Sequence, residues 1–399
     1  MAAPVSEIWT LILAVLAIRL GILTHRVLPR LREWNIPPAI TGGLLIATLV
    51  TAAREAFGIE ILFADGIRQT LLLVFFVGVG LSAKFSALFR GGLGVAVICL
   101  AIVVVISLQN LAGVAIATGF GLDAALGLFF GSIAFLGGHG TAAAWAQAAP
   151  AQGLGGALEV GMACATLGLI AGGLAAGPLA SWLMRREPRL AGGASPASAV
   201  IPEPVPHLTS SELLNSDRWL VITLVIALCL ALGEVLRQWA AEAGIVMPGF
   251  LAVMVVAVVL TNGADLLRHP VDMAVAELTG TVALRLFLAI SMMGIKLWEL
   301  EAFILPLLVT LVVQVAIVCL VGLLLVYPLL GRGHEGAVAS GGFIGVALGA
   351  MPVGLGVMNR LTATFGPAPK ALLAVTLAAA LFADTANALL VNLGFALLN

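Results

Sequence analysis

The sequence predicts an all-α polytopic membrane protein: two inverted-topology repeats of five transmembrane helices, each repeat with a re-entrant glycine-rich hairpin. Three observations predict it. Apolar residues make up 61% of the chain and charged residues 10%, against about 25% charged in a soluble domain. Ten apolar stretches are long enough to cross a bilayer. Finally, two glycine-rich runs interrupt apolar segments about two hundred residues apart. Lys and Arg are too scattered for a nucleic-acid surface.

The ten predicted spans divide into two groups of five. The first run has no basic residue before it and is followed by His25 and Arg26, which indicates a span rather than a signal peptide. The N-terminal repeat is 1–184, a proline-rich cytoplasmic linker is 185–217, and the C-terminal repeat is 218–399. The predicted spans are 8–24, 36–53, 69–88, 93–119 and 160–183, then 219–239, 246–260, 281–295, 303–330 and 372–397.

Two further uncharged stretches, 124–158 and 336–359, are predicted to be re-entrant hairpins. The helical part of the first, 124–136, would be about 20 Å long, too short for a hydrocarbon core of about 30 Å. Each repeat then has an odd number of spans, so the repeats face opposite ways. The positive-inside rule supports this arrangement with both termini outside. Thirteen Lys and Arg residues fall on the cytoplasmic side, against four outside: Arg54, Arg68, Arg237 and Lys296.

The two repeats also match weakly in sequence, at offsets of 204 to 214 residues. Pro38 and Pro248 each open a span, and Gly80-Leu81 before Lys84 resembles Gly294-Ile295 before Lys296. Gln109 precedes Gly138 by 29 residues, and Gln314 precedes Gly342 by 28. Thr166 corresponds to Thr376. Inverted repeats with broken helices are typical of alternating-access carriers, whose binding site lies at the breaks.

The predicted substrate site lies at the two breaks. The first is Leu136-Gly137-Gly138-His139-Gly140-Thr141, and the second is Ser340-Gly341-Gly342-Phe343-Ile344-Gly345, in which Gly341, Gly342 and Gly345 are the predicted site residues. A helix that begins at the first break would direct backbone N–H groups and its positive dipole end at an anion. The alternative is that the glycines only permit close helix packing. His139 either fixes the loop backbone or touches substrate.

A cation site is predicted around Asp384, near the middle of the last span. An intramembrane carboxylate is costly, so it needs a partner or a polar cavity. Asn387 lies one helical step away and Thr376 two turns earlier; Thr166, the counterpart of Thr376, joins this set. Hard oxygen ligands suit Na⁺ as the coupling ion, with a proton as the rival, and no other cofactor is expected. The alternative partner of Asp384 is Arg285, which would otherwise bind a substrate carboxylate. Gln109 and Gln314 either line a cavity or bond neighbouring helices.

The sequence resembles the sodium/glutamate symporter family (ESS family) over nearly its whole length. The resemblance is carried by these segments: Gly131-Ser132-Ile133, Gly137 to Thr141, Ala144-Trp145, Met162 to Thr166, Met293 to Leu300, Phe365-Gly366-Pro367, Asp384 and Asn387. It implies a bacterial inner-membrane secondary transporter, not an enzyme, that imports glutamate with sodium. It further implies a homodimer and an elevator-like movement by alternating access.

Two departures from the family pattern broaden the expected substrate. Met351, Val353 and Val357 surround Pro352 where polar residues are expected, and Arg285 stands where a small polar residue is expected. We therefore expect sodium-coupled symport of glutamate or a related small anionic amino acid or carboxylate. The alternatives are a proton-coupled carboxylate carrier and a solute channel with paired re-entrant loops. An intramembrane enzyme is disfavoured because no HExxH or nucleophilic serine motif occurs.

Overall fold

The computed structural model describes residues 2–33, 36–86, 92–148, 154–186, 216–243, 247–267 and 271–398. Most of the predicted linker 185–217 lies outside these residues. The α-helices are α1 Glu7–Val27, α2 Arg30–Glu33, α3 Pro38–Phe57, α4 Asp65–Ser82, α5 Gly92–Gly119, α6 Gly138–Ala148, α7 Ala157–Arg186, α8 Ser216–Glu242, α9 Gly249–Leu266, α10 Met273–Met293, α11 Ile304–Val321, α12 Tyr327–Leu329, α13 His334–Phe365, α14 Pro369–Ala378 and α15 Asp384–Leu398. Short strands β1 Ala2–Pro4 and β2 Glu60–Leu62 pair in parallel, which the sequence did not predict.

Ten helical segments of the described chain are long and apolar enough to cross a membrane, which confirms the predicted number. Eight are α1, α3, α4, α5, α7, α8, α9 and α10. The ninth, Leu300–Leu329, and the tenth, Pro369–Leu398, each contain a π-helical turn, Gly322–Val326 and Ala379–Ala383. Large apolar side chains such as Leu266 and Leu93 point outward, as expected for helices that face lipid.

Six helices form one compact group, which we call the six-helix bundle: α1, α3, α4, α8, α9 and α10. Its helices approach closely at glycines. A Cβ placed on Gly78 would lie 3.4 Å from the Cα of Gly280, and one on Gly280 would lie 3.6 Å from the Cα of Gly78. Small residues that let backbones meet are typical of membrane helix packing. Here the contact joins the third span of each half, α4 and α10.

The remaining long elements form a second group, the hairpin bundle: α5, α6, α7, α11, α13, α14 and α15. Each half of the chain therefore gives its first three spans to the six-helix bundle and its hairpin and last two spans to the hairpin bundle. The groups meet at α6, where Gly140 lies between Phe75 and Leu284. The Trp145 ring also stacks edge-on against Phe250, with centroids 5.2 Å apart.

Candidate functional site

The first hairpin reverses the chain at Gly137 and Gly138. A 3₁₀ turn, Ala124–Leu128, begins its incoming arm, and α6 is its outgoing arm. Gly138 has φ +69°, a conformation that only glycine adopts without strain. Phe129 and Trp145, on opposite arms, both pack on Phe395, at centroid distances of 6.4 and 5.1 Å. A straight 16-residue helix would separate them by about 24 Å, so the arms lie side by side.

The structure of the second hairpin shows that the predicted position of its break is wrong. The backbone is not broken at Ser340 to Gly345, because helical residues run continuously from His334 to Phe365. The chain nevertheless reverses between Val346 and Gly354. A Cβ on Gly345 would lie 2.7 Å from the Cα of Gly354, whereas a straight helix would separate these residues by about 13 Å.

The glycines of this second hairpin lie along its arms. Gly342 abuts the Met358 side chain, and Gly341 faces Leu361 and Val357. Gly341, Gly342 and Gly345 therefore let two helical arms touch, which is the packing alternative considered from sequence.

Both hairpin turns meet the same stretch of α7. A Cβ on Gly168 would collide with the Leu348 carbonyl oxygen of the second hairpin, and it would lie 2.8 Å from Phe135 Cδ1 of the first. One turn further along, Gly172 faces Leu348 Cβ. The two turns, from opposite halves of the sequence, therefore converge on one helix.

A buried polar cluster fixes the first hairpin just before its turn. Ser132 Oγ lies 2.6 Å from Asn387 Oδ1 and 2.9 Å from Asn110 Oδ1, and Ser132 N donates to Asn110 Oδ1 over 2.9 Å. Asn387 Nδ2 donates to Ser132 O over 3.2 Å and lies beside Gly137. The serine has one hydroxyl proton for two acceptor oxygens. This cluster is therefore rich in oxygen lone pairs.

Asn110 and Ser132 were not among the predicted site residues. A sequence signal did exist for Asn110, since an amide in the middle of an apolar span is costly without a partner. Ser132 carried no comparable signal. A hydroxyl in a membrane helix usually bonds its own backbone, and only the folded structure brings Ser132 to Asn387.

His139 connects the start of α6 to α7. Its Nε2 lies 3.0 Å from Thr166 Oγ1, and the Thr166 hydroxyl donates to Met162 O over 2.9 Å. Because that hydroxyl proton is already used, His139 Nε2 is the donor. Both side chains are largely buried. The contact ties the start of α6 to α7, which is closest to the first of the two roles considered from sequence. Thr141, also buried, lies next to Gly137.

Asp384 begins α15, directly after the π-helical turn Ala379–Ala383 and one helical turn before Asn387. Such turns often mark functional positions. Its half-buried carboxylate has no hydrogen bond or ion pair to any residue that the structure describes. Thr376 lies eight residues earlier, about 12 Å along the helix axis. Asp384 and Asn387 are therefore neighbours, and Thr376 is separate from them.

Arg285 does not pair with Asp384 in this structure. The four ion pairs found among the described residues join Arg68 to Asp65, Lys84 to Asp265, Arg218 to Asp272 and Arg237 to Glu234. The Arg285 side chain is exposed on α10. It follows Leu284, which faces Gly140 at the start of α6. The guanidinium therefore lies on the exposed side of α10, in the six-helix bundle.

Gln109 and Gln314 bond the hairpins in a crossed pattern. Gln109 Nε2, in the first half, donates to Ala347 O of the second hairpin over 3.1 Å. Gln314 Nε2, in the second half, donates to Phe130 O of the first hairpin and to Gln109 O, each over 2.9 Å. Both side chains are fully buried. These amides thus make interhelical bonds, one of the two roles considered from sequence.

Comparison with known proteins shows that the chain is similar to one family of membrane proteins. A family model described as "Sodium/glutamate symporter" matches residues 4–367. The chain is 35% identical over 386 residues to a sodium/glutamate symporter of Escherichia coli (strain K12), with 96% of each chain covered. It is 33% identical over 401 residues to one from Haemophilus influenzae, covering 100% of this chain and 99% of the relative. A sodium proton antiporter structure from Methanocaldococcus jannaschii aligns over 98% of both chains, at 15% identity and a TM-score of 0.41.

Proposed function

Because this chain belongs to the sodium/glutamate symporter family, we propose that it is a secondary active transporter that moves glutamate, or a related small anionic amino acid or carboxylate, together with sodium. Its relatives are named as symporters, so it is not an enzyme. The observation that carries the proposal is the convergence of both hairpin turns on α7 at Gly168. Convergent hairpins from two halves create one central site.

The start of α6 is the proposed anion site. The first N–H groups of a helix have no partner within the helix, and the helix dipole adds positive potential there. A substrate carboxylate would accept hydrogen bonds from the backbone N–H groups of His139 and Gly140 and from the Thr141 hydroxyl, with Gly137 and Gly138 shaping the approach. Arg285 would attract the second carboxylate from the six-helix bundle. The turn of the second hairpin, shaped by Gly341, Gly342 and Gly345, would form the opposite wall.

The oxygen-rich cluster beside the first hairpin is the proposed sodium site. Asn387 and Ser132 supply neutral oxygens, Asn110 supplies a third, and Asp384 supplies the charge one helical turn away. Oxygen ligands of this kind suit a hard cation. Thr166 and Thr376 stay predicted members of the wider site. Thr166 is engaged by His139, and Thr376 lies too far along the helix to bind the same ion as Asp384.

Alternating access would arise from movement of the hairpin bundle against the six-helix bundle, in the manner of an elevator. In this proposal the repeats are inverted, the hairpins are re-entrant, both termini lie outside and the 185–217 linker is cytoplasmic. The proposal also places the protein in the bacterial inner membrane as a homodimer. Moving one net positive charge down a potential of 100 mV would add about 2.3 kcal/mol to the driving force.

Uptake into proteoliposomes tests the function directly. Labelled glutamate, aspartate and dicarboxylates would be offered with a sodium, lithium or pH gradient imposed separately. We expect saturable, sodium-dependent uptake and counterflow of an acidic amino acid. Uptake driven by the pH gradient without sodium would establish the proton-coupled carrier instead. Flux that neither saturates nor shows counterflow would establish a channel.

Replacement of Asp384 by Asn tests the sodium site. The change keeps the shape of the side chain but removes its charge, so we expect sodium-dependent uptake to be lost while the protein still inserts. Stimulation of uptake by sodium would be measured against Asp123→Asn. Asp123 caps the distant start of the first hairpin through Ala125 N. Unchanged sodium dependence in Asp384→Asn would exclude Asp384 from the site.

A further inference from the structure

The connection from α4 to α5 joins the two bundles, and one asparagine grips its main chain. Asn262, on α9 of the six-helix bundle, donates from Nδ2 to Ala83 O over 2.8 Å and accepts from Phe85 N over 2.9 Å. Its second amide hydrogen goes to Val258 O, also over 2.8 Å. All the bonding capacity of the amide hydrogens is therefore used. The connection is held on the six-helix side.

An ion pair reinforces this grip. Lys84 Nζ, on the same connection, lies 3.0 Å from Asp265 Oδ1, less than one helical turn beyond Asn262. Both side chains are largely shielded, at 22% and 24% exposure, so solvent screens the pair less than it would on an open surface. Three polar contacts thus hold residues 83–85 to α9.

The second connection between the bundles is held from both sides. It runs from the end of α10 through Gly294 and Lys296 to the 3₁₀ turn Leu297–Phe303 before α11. The main-chain N–H of Lys296 donates to Glu159 Oε1 over 3.2 Å. Glu159 is buried and lies on α7, which belongs to the hairpin bundle. From the other side, the guanidinium of Arg54 on α3 lies 3.8 Å from the ring centroid of Trp298. The two connections match in sequence, but the second is tied to both bundles.

The sequence explains why the hydrogen bonds of Asn262 have no counterpart at the second connection. When Pro38 is aligned with Pro248, Ala52 corresponds to Asn262 and Glu55 corresponds to Asp265. The first half therefore keeps the acidic residue but lacks the amide. Near the second connection there is instead a small cavity of about 40 Å³. Val50 and Arg54 of α3 line it together with Gly294.

We propose that Asn262 and Asp265 are positioning residues of the transport cycle: they hold residues 83–85 on α9 as the pivot of the arrangement described here, and these contacts break when the hairpin bundle swings to its other arrangement. This inference rests on the proposed bundle movement. Neither residue touches the substrate or ion site. They act by setting the balance between the two arrangements of the bundles, because a contact made in one state only shifts a two-state equilibrium.

Distance measurement between the bundles tests the pivot. Spin labels would be placed on Phe57→Cys, at the exposed end of α3, and Phe120→Cys, just beyond α5. The four native cysteines would be replaced by Ala, and the labelled protein diluted with unlabelled protein in lipid. We expect the parent to show two distance populations whose ratio responds to sodium and glutamate. Asn262→Ala should change that ratio by about fivefold to tenfold, because two main-chain bonds made in one arrangement are lost.

Two further variants protect the test against misfolding. Lys84→Met removes only the ion pair and should shift the ratio in the same direction by less. Ala52→Asn offers an amide to the second connection and should shift it the opposite way. A purely structural role would lower protein yield without moving the ratio. If the parent responds to ligands while all three variants keep its ratio, the pivot is wrong and the proposed function stands. If the parent shows one unchanging distance, the bundle movement is wrong, and the pivot fails with it.

Discussion

The two hairpins turn the chain with different chemistry. Near the turn of the first, Ser132, Asn110 and Asn387 form a network of side-chain contacts, and His139 bonds to Thr166. The arms of the second hairpin meet at two glycines, Gly345 and Gly354. Among the described residues, the side-chain amide that bonds this hairpin near its turn is that of Gln109. The first hairpin is thus held by side-chain hydrogen bonds, and the second by close contact between the backbones of its arms.

Replacing Gly345 by Val should produce the largest effect. The new Cβ would meet the Gly354 backbone at 2.7 Å, and backbone cannot rotate away as a side chain can. We expect destabilisation of at least about 3 kcal/mol, with loss of the thermal unfolding transition in detergent. Gly173→Val is the matched control, since a Cβ there meets nothing within 4 Å. A folded Gly345→Val protein of parental stability would contradict the close-packed second hairpin.

Gly138→Val probes the first hairpin and should be milder for folding. The residue has φ +69°, so a branched side chain would cost about 1–3 kcal/mol in backbone strain. We expect the protein to insert and fold but to lose glutamate uptake, because the start of α6 moves. Uptake and thermal stability would be compared with Gly345→Val. Active Gly138→Val protein would argue against a tight binding turn at this position.

A pair of serines at matching positions sharpens the comparison further. Ser132→Ala removes a hydroxyl from the oxygen-rich cluster, and we expect the sodium concentration for half-maximal uptake to rise about tenfold, equivalent to about 1.4 kcal/mol. Ser340→Ala is the control on the second hairpin, where the hydroxyl donates to Gly322 O or Gly336 O and to no other group that the structure describes. Sodium dependence should not change there. Equal shifts in both variants would remove the distinction between the hairpins.

The spans were predictable because bilayer thickness sets the length of each apolar run. The break at Gly137-Gly138 was also predictable, since the residues around it are polar or glycine. The second break was placed wrongly at Ser340 to Gly345. Glycine has low helix propensity, by about 1 kcal/mol relative to Ala, but close packing of the arms overrides that preference. A run of glycines in sequence does not distinguish a turn from a helix contact.

The candidate site was only partly predictable, because local sequence does not show which distant residues meet in the fold. Asp384 and Asn387 were selected from sequence because a polar group at membrane depth is costly unless it has a partner or a polar cavity. The partner of Asn387, Ser132, lies 255 residues away in sequence, and no periodicity connects such positions. The π-helical turn before Asp384 also has no sequence signature that distinguishes it from an ordinary apolar helix. Long-range pairing and local helix irregularity required the fold.

Replacing Arg285 by Ser should have the smallest and most selective effect. The side chain is exposed, belongs to neither hairpin and has no ion pair among the described residues, so we expect unfolding stability to change by less than about 0.5 kcal/mol. If the guanidinium attracts a second carboxylate, monocarboxylic amino acids should compete relatively better against glutamate in the variant. Competition profiles in proteoliposomes would measure this, with Arg285→Lys as the control that keeps the charge. An unchanged profile would assign substrate recognition to the hairpins alone, and to the backbone of the first hairpin above all.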